Sequence, residues 1–181
     1  MLALLQAAAA REGLANVEPV ALSWEEVDLG RLGWERRFDL VLASMSPAIR
    51  DAASLARMTM ASRRLCYFTG YVERRDRAYE ELWSQIMGGK LPPYSRDCLY
   101  IFHLLYAWGY YPSLEFSSRT VRRDLPPAEA VAELEEFFWP FLEIDEKVRG
   151  EIASYVAAKT SGGLFRVERE EVIGRVTWKV A

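Results

Sequence analysis

The chain has 181 residues, 51% hydrophobic and 13% aromatic, enough to bury a core of its own and too apolar for a disordered polymer. A net charge of -3 offers no global attraction to nucleic acid, and no apolar run approaches the ~20 residues of a membrane span. Two cysteines outside any CxxC motif and a single histidine argue against a disulfide framework and a conventional zinc site, so the expected setting is the cytoplasm and no metal is expected.

The stretch MLALLQAAAAREGL reads as a helix closed by Gly13, with Leu14 placed to pack back on it. No basic region precedes it, so it is not expected to act as a signal peptide. In NVEPVALSWEEVDL, Val17, Val20 and Leu22 mark an extended stretch expected to form a strand, and Pro19 places that strand at or near a sheet edge. Leu40, Val41, Leu42 and Ala43 form an unbroken apolar run, as in a parallel strand covered on both faces. Ser46 and Pro47 then supply an N-cap and a first helical residue, with Ile49, Ala52, Leu55 and Ala56 on the apolar face. RRLCYFTGY follows as a second strand, which completes a right-handed parallel crossover unit.

After Tyr71 the pattern changes. Asp76 is placed to cap a helix whose stripe is Tyr79, Leu82, Trp83, Ile86 and Met87, closed by Gly88 and Gly89. CLYIFHLLYAW is apolar nearly all round and reads as a buried helix. A strand is expected at 114–123 and helices at about 127–141 and 145–159. The tail FRVEREEVIGRVTWKV shows two alternating runs around a short turn, the pattern of an antiparallel hairpin. Paired arginines such as Arg74–Arg75 and Arg122–Arg123, and paired acids such as Glu170–Glu171, read as solvated faces and helix ends.

In order and spacing, the segments MLALLQAAAAREGL, NVEPVALSWEEVDL and FDLVLASMSPAI resemble the middle of a class I S-adenosylmethionine-dependent methyltransferase. The resemblance covers roughly residues 1–71, and the tail by position. It implies one α/β domain: a Rossmann-like methyltransferase sheet lacking its first two strands, with a helical insertion and a C-terminal antiparallel hairpin. Within that frame residues 1–71 belong to the cofactor-binding part, 72–163 to a mostly helical substrate-side cap and 164–181 to the hairpin. In the family the turn after the third strand holds adenine, which places Ser23 and Trp24 there, with Glu25 as an alternative to Ser23 for the acidic ligand. The loop after the fourth strand lies under the sulfonium and methyl group, which places Ser44, Met45 and Ser46 there. The family's GxGxG loop and acidic ribose ligand are absent from the sequence. The expectation is an N-terminally truncated member that by itself holds S-adenosylmethionine poorly.

His103 is the one side chain with general-base chemistry near neutral pH, and Tyr100, Tyr106 and Tyr110 surround it in sequence. One reading is an aromatic pocket for the methyl acceptor, a small molecule or cofactor-like compound, with His103 as base. The other is a core histidine. Two function classes therefore stand: a methyltransferase, or a non-catalytic methyltransferase-like protein acting by self-association or as a partner subunit. Without the family's first strand, the edge from Phe38 to Ala43 is expected to be covered by the 17–22 strand or by another chain, with a homodimer as the expected form. Neither nucleic acid nor membrane is expected as a partner.

Overall fold

The computed structural model describes residues 2–93 and 97–180. In chain order the elements are α1 (Leu2–Arg11), α2 (Leu29–Leu32), β1 (Phe38–Ser44), α3 (Ala52–Ala61), β2 (Ser62–Asp76), α4 (Arg77–Ile86), α5 (Asp97–Ala107), β3 (Ser113–Leu125), α6 (Pro127–Phe138), α7 (Glu146–Lys159) and β4 (Phe165–Lys179). The four strands form one sheet in the order β1-β2-β4-β3, which makes the chain α/β. Two compact units divide it: residues 2–41 and 47–66 with Val180, and residues 42–46, 67–93 and 97–179. Both β1 and β2 run through that division.

In the first unit, α1 ends as its sequence requires. Gly13 adopts φ 67°, and the amides of Gly13 and Leu14 donate to Ala10 and Ala9, closing the Schellman pattern. Leu14 nonetheless stays exposed, as do Leu2, Leu4 and Leu5, and only Ala9 of α1 is buried. The strand expected at 17–22 does not form, so the stretch is irregular, with Val17, Val20 and Leu22 exposed. Pro19 removes a ladder donor there, and nothing covers the apolar positions to compensate. A small cluster of Val27, Leu29 and Ala61, flanked by Trp24, Trp34 and Val41, forms part of the core of this unit, in which Leu55, Met58 and Cys66 are also buried.

The helix after β1 also starts later than its serine and proline indicated. Its N-cap is Asp51, not Ser46: Asp51 accepts from the Ser54 amide, and the Ser54 hydroxyl accepts from the Asp51 amide, a reciprocal capping box. Two satisfied donors outweigh the single one that a serine cap would satisfy. Main-chain bonds advance together along β1 and β2, from Arg37 on Ala61 to Met45 on Thr69, as parallel neighbours do. β1 is the last strand on its side of the sheet, and it is not covered on both faces. Leu40 and Leu42 are 50% and 57% exposed, and Ala43 is its one buried residue.

In the second unit the tail is not a hairpin. β4 is one continuous strand of 15 residues, paired antiparallel with β3 from Phe165 on Leu125 to Thr177 on Ser113. What read as two runs is a change of buried face: Phe165, Val167, Arg169 and Glu171 are buried, then Gly174, Val176 and Trp178. Gly174 is no turn. A Cβ there would lie 2.7 Å from the Cys98 sulfur and 2.9 Å from Val72 Cγ2, so the glycine lets α5 approach the strand closely. Under the other half, Tyr79, Leu82 and Trp83 of α4 pack with Leu134 and Phe138 of α6, and with Ile152 and Val156 of α7. α5 buries Cys98, Ile101 and Leu105 but exposes Tyr100, His103 and Tyr106, so it is one-sided and not buried all round.

Candidate functional site

Three of the residues assigned to adenine, Ser23, Trp24 and Glu25, lie in a turn of the first unit, and two of them are committed to local partners. The Trp24 indole N–H donates to the Ser54 carbonyl at 3.2 Å, and the Trp24 carbonyl accepts from the Arg57 guanidinium at 2.8 Å. Glu25 is ion-paired with Arg50 at 2.6 Å. Ser23 is exposed. The turn is thus pinned to α3 through the groups that a ligand would use.

Ser44, Met45 and Ser46 belong to the second unit, at the carboxyl end of β1. Met45 adopts φ 49°, a left-handed conformation that costs a residue with a Cβ about 1–2 kcal/mol. Its amide donates to the Thr69 carbonyl at 3.0 Å, and the hydroxyls of Ser44 and Thr69 are hydrogen-bonded at 2.9 Å. β2 therefore holds the strained loop from below. Strain kept in place by a neighbouring strand is a mark of loops that do work.

The acceptor residues expected on α5 are dispersed. His103 is exposed with its ring edge-on to Phe102, so it is not a core histidine; Tyr100 and Tyr106 face solvent, and Tyr110 is half-buried. A cleft of this unit lies elsewhere, away from those residues. A cleft of about 640 Å³ runs between the end of β2, α4 and the turn after it, walled by Val72, Leu91, Pro92 and Leu99 and rimmed by Arg74, Glu80 and Lys90. α5 contributes Leu99 to it and none of the tyrosines.

Beside the cleft lies a charge network that the alternating pattern of β4 encodes. Glu171, read as solvated, is 3% exposed, because it shares the inward side of β4 with Phe165 and Val167. It takes Arg119 at 2.7 Å and Arg74 at 3.7 Å. Arg169, on the same side, bonds Asp76 at 2.9 Å, the Tyr79 hydroxyl at 3.0 Å and Glu133 at 3.0 Å. Burial pushes the Tyr79 hydroxyl up to about 12, so it stays a neutral donor or acceptor here. Burial also works to raise Glu133, but hydrogen bonds from Arg123 and Arg169 outweigh it and leave that carboxyl below its ordinary range. Cys66, in the first unit, is driven up to about 11 by burial and is an inert thiol.

On the outer side of α4, hydrogen bonds from Lys159, Arg77 and Tyr155 hold the Glu81 carboxyl at about 2, down from 4.5. A carboxyl depressed in the folded state adds stability above its unfolded value and loses it as pH falls through the folded one. The site is open to water, which screens the contribution to about 1 kcal/mol. Urea unfolding is expected to show this increment at pH 6 and its loss between pH 4.5 and pH 2. Glu81→Gln should flatten that part of the stability profile, and an unchanged profile would refute the assignment.

No family model matches the sequence, and no curated protein matches it. Solved structures do. A "putative methyltransferase" of Bacillus halodurans superposes with a TM-score of 0.53 at 12% identity, over 97% of this chain and 78% of that one. A phosphoethanolamine N-methyltransferase 2 of Haemonchus contortus, in complex with phosphomonomethylethanolamine and S-adenosylhomocysteine, matches at 0.34 and 14% identity, over 80% of this chain and 34% of that one. A "putative sarcosine dimethylglycine methyltransferase" of Galdieria sulphuraria matches at 0.43 and 12% identity, over 99% of this chain and 66% of that one. The likeness to the Bacillus protein carries the argument, and it is a likeness of fold: this chain has the class I methyltransferase fold.

Proposed function

We propose that this chain serves methyl transfer from S-adenosylmethionine to a small-molecule or cofactor-like acceptor. The supporting observation is the fold shared with the Bacillus protein across nearly the whole chain, with the strained Met45 loop where the carboxyl end of a strand meets its ligand in such sheets. The residues present do not fit the whole cofactor. Trp24 and Glu25 already spend their polar groups on Ser54, Arg57 and Arg50, and the sequence has no glycine-rich loop to cradle the methionine moiety. What remains for the donor is, in the first unit, the Ser23–Trp24 turn and, in the second, the Ser44–Met45–Ser46 loop, each taken by itself. The other contacts would come from groups outside these 181 residues, and no catalytic step is assigned to the donor here.

The test is S-adenosylhomocysteine release by the polypeptide as its native cell makes it. Ser44→Ala should lower turnover, because it removes the side-chain half of the loop's hold on Thr69 and leaves only the Met45 main-chain bond. Turnover unchanged by that substitution removes the loop from the site, and absence of any release in the native polypeptide removes the reading.

A second reading has its own observation. β1 ends the sheet with Leu40 and Leu42 half exposed or more, beside main-chain groups that no strand on that side pairs among the described residues. Such an edge favours association with another chain, a homodimer or a partner subunit. Leu40→Lys is expected to shift a self-associated form toward monomer in light scattering. A clean monomer across a wide concentration range in the unaltered protein would end this reading.

A further inference from the structure

We propose that the turn between α6 and α7 is a docking surface for a basic, apolar segment of a partner protein. The surface begins with an aromatic tip. Trp139 is 74% exposed and Phe141 52%, on either side of the exposed Pro140. Ala130, Leu134 and Phe138 form the stripe by which α6 enters the core, and Trp139 lies one residue off it at the helix end. The packing of α6 therefore makes no use of the indole.

The tip is held in one conformation. The Trp139 amide donates to the Glu135 carbonyl at 2.9 Å, and the Phe138 carbonyl accepts from the amides of Phe141 and Leu142 at 2.9 and 3.2 Å. Pro140 fixes its own φ. The Phe141 ring stands edge-on to Trp83 at 5.0 Å, while Leu142 and Ile144 pack on the core. Rings presented on a fixed backbone lose little freedom when a partner covers them, which favours binding.

Charge decides what that partner is. Residues 135–151 carry six acids against two cations. Each cation already has an acid of its own: Arg149 bonds Glu135 at 2.9 Å, and Lys147 reaches Glu151 at 3.9 Å. Asp145 caps α7 by accepting from the Val148 amide, and Glu146 lies in the first turn of that helix, so the fold accounts for both. It does not account for Glu136 or Glu143. Both are exposed, and neither forms an ion pair among the described residues. Glu136 sits in the last turn of α6, where the helix dipole is negative and no basic residue offsets it. The acid is placed against the helix's own preference, three residues before the exposed Trp139, and Glu143 follows Phe141 by two.

An aromatic tip flanked by unpaired carboxylates suits arginine or lysine interspersed with aliphatic side chains. A guanidinium can stack on the indole face as well as meet a carboxylate. A membrane is the poorer occupant, because an anionic leaflet repels the same acids. The surface lies within the second unit and needs neither methyl transfer nor the β1 edge, so it goes beyond both readings above.

The experiment is a calorimetric titration of the intact chain with three synthetic peptides of equal length. One alternates arginine with leucine, the second replaces each arginine by glutamate, and the third replaces each leucine by serine. The arginine-leucine peptide is expected to bind saturably, with the other two about tenfold weaker or worse. Trp139→Ala should weaken that peptide about tenfold. Glu136→Gln combined with Glu143→Gln should weaken it about fivefold and flatten its salt dependence. Both variants alter exposed side chains and should leave the circular dichroism unchanged. Equal binding of either control peptide, or no saturation at millimolar arginine-leucine peptide, would overturn the proposal. So would an affinity unmoved by Trp139→Ala or by the paired glutamines. Self-association that Trp139→Ala abolishes would seat a second copy there instead, and binding to phosphatidylcholine vesicles that Trp139→Ala abolishes would seat a membrane; either result also overturns it.

Discussion

Asp76→Ala is expected to destabilise the protein by about 3–5 kcal/mol, measured by urea unfolding at neutral pH. Two separate functions of one carboxylate produce that size. One oxygen accepts from the amides of Ala78 and Tyr79, satisfying donors at the start of α4 that have no partner within the helix. Loss of such a cap alone costs ~1 kcal/mol. The other oxygen bonds Arg169 at 2.9 Å, and both side chains are almost inaccessible to water, at 3% and 8% exposure. Removing the acid leaves Arg169 buried with Glu133 as its remaining anionic partner, and Glu133 already serves Arg123. An uncompensated buried charge is the costly outcome, more so than loss of the pair as a whole. The double variant Asp76→Ala with Arg169→Met should therefore recover part of the stability lost by Asp76→Ala alone. A loss under about 1.5 kcal/mol for the single variant would show that water or another group compensates Arg169.

The parts of this fold that could be read from sequence are those with local causes. Asp76 is a helix cap wherever α4 packs, and Gly13 ends α1 by its own backbone freedom, so both were legible. The strand–helix–strand unit from Phe38 to Tyr71 was legible from its apolar runs, though the second strand continues to Asp76. What misled were signals whose meaning is set by distant neighbours. Gly174 looks like a turn until Cys98 is seen against it. Leu40 and Leu42 look like core until the sheet is seen to end at β1. Arg169 and Glu171 look like surface charges until β4 runs unbroken, because only then do they share a side with Phe165 and Val167. The same holds for the candidate site. Ser44 and Met45 were singled out by the resemblance, at the end of an apolar strand, and nothing local announced the cleft at Arg74 and Lys90. Its walls come from three elements, β2, α4 and α5, with the turn after α4, and no single stretch of sequence contains its pattern.

Isothermal titration of the 181-residue chain with S-adenosylmethionine is expected to give no fitted isotherm at micromolar concentrations. A ligand of that size is normally enclosed over most of its surface, and affinity follows from how many of its polar groups meet preorganised partners. Here the adenine side would find the Trp24 ring, but with its N–H already donated to Ser54 at 3.2 Å. An acid for the amine is available only if Glu25 leaves Arg50, an exchange of one exposed ion pair for another interaction of similar strength. At the methionine end the Ser44 hydroxyl is bonded to Thr69, and the sequence offers no glycine loop whose amides would meet the carboxylate. Contact with either loop leaves the ribose and much of the ligand in water. Each tenfold in affinity needs about 1.4 kcal/mol of net interaction, so losing several of these contacts takes a micromolar site beyond millimolar. Supplying the missing contacts, by an extended polypeptide or a second subunit, should bring binding into the measurable range, and Trp24→Ala should then weaken it. A well-fitted micromolar isotherm for the chain alone would mean that its own residues enclose the cofactor by a route other than these two loops.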